Sequence, residues 1–126
     1  MTMDEMLFFD GHIAAMPLYE KLKDSILAET PQARIEVRKT QISFFTKRMF
    51  AAISFTPVRK AKDRPDPFLT VTFGLRRRVT SPRIDALAEP YPGRWTHHVM
   101  IGSAEEADAE LMEWIREAAA LSAWIR

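Results

Sequence analysis

The sequence predicts an α+β domain: an antiparallel sheet of four to five strands, with one N-terminal and one C-terminal helix packed on one face. Residues 34–75 hold successive runs rich in β-branched and aromatic residues. An amphipathic run at 17–29 precedes the sheet region, about 34–101, and another at 104–124 follows it. A block of strands flanked by helices makes a two-layer domain, and two helices leave the far sheet face partly open. At 126 residues the chain reads as a single domain, 1–126, able to bury a core without a disulfide or structural metal.

Taken in order, residues 1–15 are a lead-in. Phe8, Phe9 and Ile13 are available for packing, and Asp10-Gly11-His12 reads as a turn. Pro17 suits a first helical turn, where its missing N–H costs nothing. Leu18, Leu22 and Ile26 then recur at helical spacing, with Tyr19 and Leu27 beside them and Glu20, Lys21, Lys23 and Asp24 on the wet side. Pro31 stops the helix at Thr30. In 34–45 the alternation changes phase: Ile35 and Val37 are odd, Ile42 and Phe44 even. One regular strand cannot put all four on one face, so a bulge or tight turn falls near Arg38-Lys39-Thr40. After a polar break at Thr46-Lys47-Arg48, residues 49–55 place Met49, Ala51, Ile53 and Phe55 on one face and Phe50, Ala52 and Ser54 on the other. Pro57 ends that strand, and a charged, proline-containing loop follows. Residues 68–75 alternate cleanly, Leu69, Val71, Phe73 and Leu75 inward. Residues 79–94 carry three prolines and a glycine. They read as an irregular segment wrapping a sheet edge, with a short helical turn at 84–88. A last strand runs 95–101. Ser103 with Glu106 then reads as a capping box opening the C-terminal helix. Ala107, Leu111, Ile115, Ala118 and Leu121 or Ser122 form its buried stripe.

Composition excludes several chemistries. There is no cysteine, hence no disulfide, thiol nucleophile or thiolate metal site. No apolar run approaches the ~20 residues that cross a bilayer, and the acidic opening lacks a secretory pattern, so a cytoplasmic protein away from membranes is expected. The net charge of +1 hides a split. Residues 34–98 hold 14 Lys/Arg against 5 Asp/Glu, a net +9; the flanks hold 4 against 12, a net −8. Such a split marks either a basic binding surface or acidic helices lying on a basic sheet.

No motif for phosphate loops, serine hydrolases or zinc peptidases is present. His97-His98 invites a metal reading, but strand neighbours point to opposite faces. A site would need His12 or Asp85 to join one of them, so no metal is expected. His97 shares the phase of Val99 and Ile101 and reads as a buried, satisfied histidine. His98 lies with Thr96 on the polar face and is the candidate for ligand or acid–base work. The acidic residues of 105–117 read as a solvated helix face. Lys39, Lys47, Arg48, Arg76, Arg78, Arg83 and Arg94 sit at strand ends or in the wrapping segment. Arginines there suit phosphate or carboxylate groups, with Phe44 or Phe45, Tyr91 and Trp95 available for stacking.

The order of landmarks resembles the uncharacterised bacterial family called domain of unknown function 5655. The resemblance rests on Phe9, Gly11-His12, Pro17 and Tyr19, then on the run Lys39-Thr40-Gln41-Ile42-Ser43-Phe44, Phe50-Ala51 and Pro57. It continues through Ser81-Pro82-Arg83, Pro92-Gly93-Arg94-Trp95 and His97-His98 to Trp114-Ile115-Arg116-Glu117-Ala118. It implies a compact bacterial domain, alone or appended to others, and brings no activity or site residue with it.

The functional expectation is a non-enzymatic ligand- or partner-binding domain. An anionic group such as a nucleotide, nucleic acid or carboxylate would lie on a polar sheet face lined by Lys39, Gln41, Arg76, Arg83 and His98. No cofactor is implied. Two alternatives stand beside it. One is a small enzyme acting on a phosphorylated or carboxylated metabolite with His98 as its acid–base group. The other is a protein-interaction module, including a homodimer formed through Trp114, Trp124 or the exposed sheet.

Overall fold

The computed structural model describes residues 1–124 and shows the α+β arrangement, with six strands rather than four to five. Helix α1 (Met3–Phe8) and a short 3-10 turn lead into α2 (Met16–Glu29). Strands β1 (Arg34–Val37), β2 (Gln41–Phe45), β3 (Met49–Ser54), β4 (Leu69–Leu75), β5 (Ala86–Tyr91) and β6 (Arg94–Ile101) follow, then α3 (Ala109–Trp124). The strands lie in the order β1-β2-β3-β4-β6-β5, every neighbouring pair antiparallel.

The phase break in 34–45 is a tight turn. Arg38 N–H donates to Gln41 O at 2.8 Å, and β1 pairs back on β2 with Val37 opposite Ile42. Both halves thereby point their apolar residues to one face. That face carries Ile42, Phe44, Ala51, Ile53, Val71, Phe73 and Val99, and α2 and α3 cover it. Tyr19 of α2 lies against Phe9 and Phe44, and Trp114 of α3 stacks on Phe73 at 5.7 Å.

Four local readings change. The register of β2 on β3 shifts between Phe44 and Phe45, so Phe50 turns into the core beside Phe44 and Met49 turns out toward Gln41. A bulge has this effect because the extra residue shifts the alternation by one. The segment expected as a helical turn at 84–88 is the start of β5, an edge strand made by its hairpin with β6. Gly93, at φ +80°, closes that hairpin in a conformation other residues resist. Ser103 makes no side-chain cap, and Glu106 accepts from Gly102 N–H at 2.8 Å instead. Residues 104–106 form a 3-10 turn, and α3 starts at Ala109 with Asp108 Oδ1 accepting from Leu111 N–H at 3.1 Å. The lead-in is a helix with its own anchor. Thr2 and Glu5 form a capping box, and the Glu5 carboxylate, 2% exposed, also accepts from Tyr19 Oη and from Lys23 Nζ.

Two connections complete the layers. Residues 76–85 pass over β6 on the helix face, where buried Val79 donates its N–H to His97 Nε2 at 3.0 Å. Arg77 and Arg83 tie this segment to α3 through Glu117, and through Asp108, Glu110 and Glu106 O. Residues 55–68 cover the lower end of the opposite face, the end holding the β1–β2 turn. There Thr70 Oγ1 donates to Thr56 O at 2.7 Å. Arg59 clasps Asp85 with two bonds of 2.8 and 3.1 Å, and Asp85 Oδ2 accepts from Met100 N–H at 2.8 Å. Pro65 packs so tightly on Gly102 that a Cβ there would lie 2.4 Å from Pro65 Cβ. Among the described residues no helix is long and apolar enough to cross a membrane.

Candidate functional site

The candidate site is the sheet face that no helix covers. Antiparallel partners share a face, so the register maps it directly. Its central row runs Glu36, Ser43, Ala52, Thr72, His98 and Ala86 across the strands from β1 to β5. One row toward the lower end are Gln41, Ser54, Thr70 and Met100; one row above are Gly74, Thr96 and Ala88. The floor is therefore small and hydroxyl-rich. Thr70 and Met100 are buried at the end that residues 55–68 cover, Ser43 and Ala52 are buried too, and Thr72, His98, Thr96 and Gly74 are the partly exposed part. Gln41 leans over it, its Nε2 donating to Ser43 Oγ at 2.7 Å and lying 3.7 Å from Met49 Sδ.

His98 is the reactive group of this floor. Its Nδ1 bonds Thr72 Oγ1 at 2.8 Å, and its Nε2 has no bond within the described residues. Burial pushes its pKa below the ordinary histidine value, so the ring is neutral near pH 7. A neutral imidazole offers a hydrogen bond rather than a positive charge. His97, on the other face, is fully buried and lies flat on Phe73 at 5.1 Å. Its pKa is lowered too, chiefly by burial. Because Nε2 accepts from Val79 N–H, Nδ1 carries the proton, and Nδ1 makes no hydrogen bond of normal geometry among the described residues. His97 is thus buried as expected, but satisfied at only one nitrogen.

The residues expected to form one anion site separate into four places. Gln41 and His98 share the open face. Lys39 stands in the β1–β2 turn at the lower end, lining a shallow groove with Asp10, His12 and Phe55. In that groove His12 stacks on Phe55 at 3.9 Å. Arg76 lies past the upper end of β4. Arg83 faces neither, because Asp108 at 2.7 Å and Glu110 at 3.1 Å hold its guanidinium against the start of α3. Alternation along a strand revealed that Gln41 and His98 avoid the core. The separation of Lys39 from Arg76 follows only from register.

The charge split is part internal complementarity. Arg77 and Arg83 pair with acidic residues of α3, and Arg59 with Asp85. Among the described residues Lys39, Lys47, Arg76, Arg78 and Arg94 form no ion pair, although Arg78 lies over the Trp95 ring at 5.8 Å. Arg94 reaches the open face, its Nη2 3.8 Å from where a Gly74 Cβ would stand. The metal reading of the histidines finds Asp85 engaged by Arg59 and Met100 N–H, and His12 engaged with Phe55. Of the tryptophans proposed for dimerisation, Trp114 is buried in the core and Trp124 is 86% exposed.

Fold and face together define a class: a small α+β domain with helices on one side of its sheet and a hydroxyl-lined surface on the other. The chain belongs to the family described as Domain of unknown function (DUF5655), whose model matches residues 7–122. No curated protein and no solved structure matches it.

Proposed function

We propose that this domain is a non-enzymatic binding module whose ligand lies on the open sheet face. The observation that carries the reading is His98 Nε2, unbonded among the described residues, with Nδ1 on Thr72 and the hydroxyl row continuing to Ser43 across a face without a covering helix. A ligand with donor and acceptor edges and a flat body fits a floor of hydroxyls, amide and neutral imidazole. Binding is better supported than acid–base catalysis because, among the described residues, Thr72 Oγ1 alone bonds the His98 ring, and the nearest-expected partner, Arg83, is engaged elsewhere. The cysteine-free composition suits a reducing, cytoplasmic setting.

The test is an NMR titration at low salt with nucleotides, short single-stranded oligonucleotides and dicarboxylates. Binding on the face shifts the Thr72, Thr96 and His98 signals, and an anionic ligand loses affinity steeply with added salt. If every compound leaves those signals unmoved, the reading fails.

A further inference from the structure

We infer that the outer face of α1 is a docking surface for a basic, amphipathic helical segment of a partner protein. Helix α1 carries its acid inward and its apolar side chains outward. Glu5 is 2% exposed and anchored on Tyr19 and Lys23, while Met3, Met6 and Leu7 are 70%, 52% and 63% exposed. At about 100° per residue these three share an arc of about 100°, with Glu5 on the opposite side. The Glu5 anchor, the Thr2 capping box and fully buried Phe9 hold the helix in that orientation. Five of the eight large apolar side chains exposed among the described residues lie in residues 1–13, so the exposure is concentrated rather than scattered.

Charge selects the occupant. Residues 1–16 hold three acids and no Lys or Arg. Glu5 is paired with Lys23. Asp4 borders the apolar arc and Asp10 lies just past the helix, and neither forms an ion pair among the described residues. Lys39 shares a groove with Asp10 and is the cation of that groove, which Asp4 does not line. A second copy docked through the same face would gather Asp4 and Asp10 of both chains, and an anionic lipid surface would meet the same acids. A helix with apolar residues at i, i+3, i+4 and i+7 and Lys or Arg beside them matches both the apolar arc and its acidic border. Unbranched methionines adapt to varied apolar side chains, which suits a surface of two Met and one Leu. The surface lies with α2 in the helix layer and is independent of any ligand on the open sheet face.

The experiment titrates the full chain, methyl-labelled at methionine, with three synthetic peptides: an amphipathic Leu/Lys helix, a Leu/Glu helix of the same apolar pattern, and a Leu/Lys peptide of scrambled order. The Leu/Lys helix shifts the Met3 and Met6 methyl signals saturably, and the scrambled peptide does not. The Leu/Glu helix binds about tenfold more weakly or worse, because its charges meet Asp4 and Asp10. Met3→Gln combined with Met6→Gln abolishes binding and leaves the urea melt unchanged, both side chains being exposed. Asp4→Asn keeps the apolar face and weakens the Leu/Lys helix about threefold. Equal affinity for the Leu/Glu or the scrambled peptide, or shifts confined to the surroundings of Trp124, overturn the assignment. So do Met3 and Met6 signals that move on diluting the chain alone, which place a second copy on the face. The same holds if phosphatidylserine vesicles move them, which places a lipid surface there.

Discussion

Replacing Glu5 by Gln removes the anchor of the N-terminal helix. In the native fold its carboxylate accepts Thr2 N–H at 2.8 Å, Lys23 Nζ at 2.8 Å and the Tyr19 hydroxyl. Burial alone would raise its pKa, but the bonds from Lys23, Tyr19 and Thr2 outweigh burial and bring it from 4.5 to about 2. The same contact raises the Tyr19 pKa, after burial. A depressed carboxylate stabilises the fold above its unfolded pKa, and the contribution disappears as pH falls toward the folded value. At about 1.4 kcal/mol per unit, the difference amounts to roughly 3 kcal/mol near neutral pH. Glutamine keeps the shape but turns an amide toward Lys23 and Tyr19, so donors face donors. Urea denaturation followed by tryptophan fluorescence, with Trp114 in the core, reads the loss. About 3 kcal/mol lowers the melting temperature by roughly 10 °C in a domain of this size. The gap between wild type and Glu5→Gln narrows as pH drops through the 2–4.5 window. A difference below about 0.5 kcal/mol at neutral pH, within the range of ordinary surface changes, refutes the reasoning. So does a gap that stays constant with pH.

Three further outcomes are expected. The two strand histidines have lowered pKa values, so the unfolded chain binds more protons below its own histidine pKa and stability falls as pH drops from about 7 to 5. The slope is at most about 1.4 kcal/mol per pH unit per histidine, and a His97→Gln, His98→Gln double variant with an unchanged slope contradicts this. Gly102→Ala drives a Cβ into Pro65 and costs about 1–3 kcal/mol, with faster amide exchange in residues 58–64. Unaltered exchange there shows that the loop does not depend on this contact. Arg83→Gln breaks the tie to Asp108 and Glu110 and costs about 1–2 kcal/mol by urea melts, while ligand binding on the open face is untouched. Weakened ligand binding instead returns Arg83 to the ligand side.

Much of the fold is legible along the chain because its signals are local. Helix α2 follows from apolar spacing, Pro17 and Pro31, and the β1–β2 turn follows from a change of phase. What escaped depends on partners distant in sequence. Strand β5 contains Pro90 and reads as irregular, yet it pairs along β6. Ser103 and Glu106 form a good local capping box, but Glu106 bonds Gly102 N–H, and the helix starts one turn later. Glu5 looks like a solvated acid until Lys23 and Tyr19 close around it.

The sequence by itself determined the α+β class, the helix faces and the side of the sheet on which Gln41 and His98 stand. Periodicity is a property of neighbouring residues, and it survives without knowledge of the rest. Only the tertiary structure decided which charges remain available. It held Arg83 on α3, left Lys39 at the lower end of the sheet, and set Arg94 beside Gly74 on the open face. The reason is physical: a guanidinium's role depends on the carboxylate within its reach, and strand order and register set that reach.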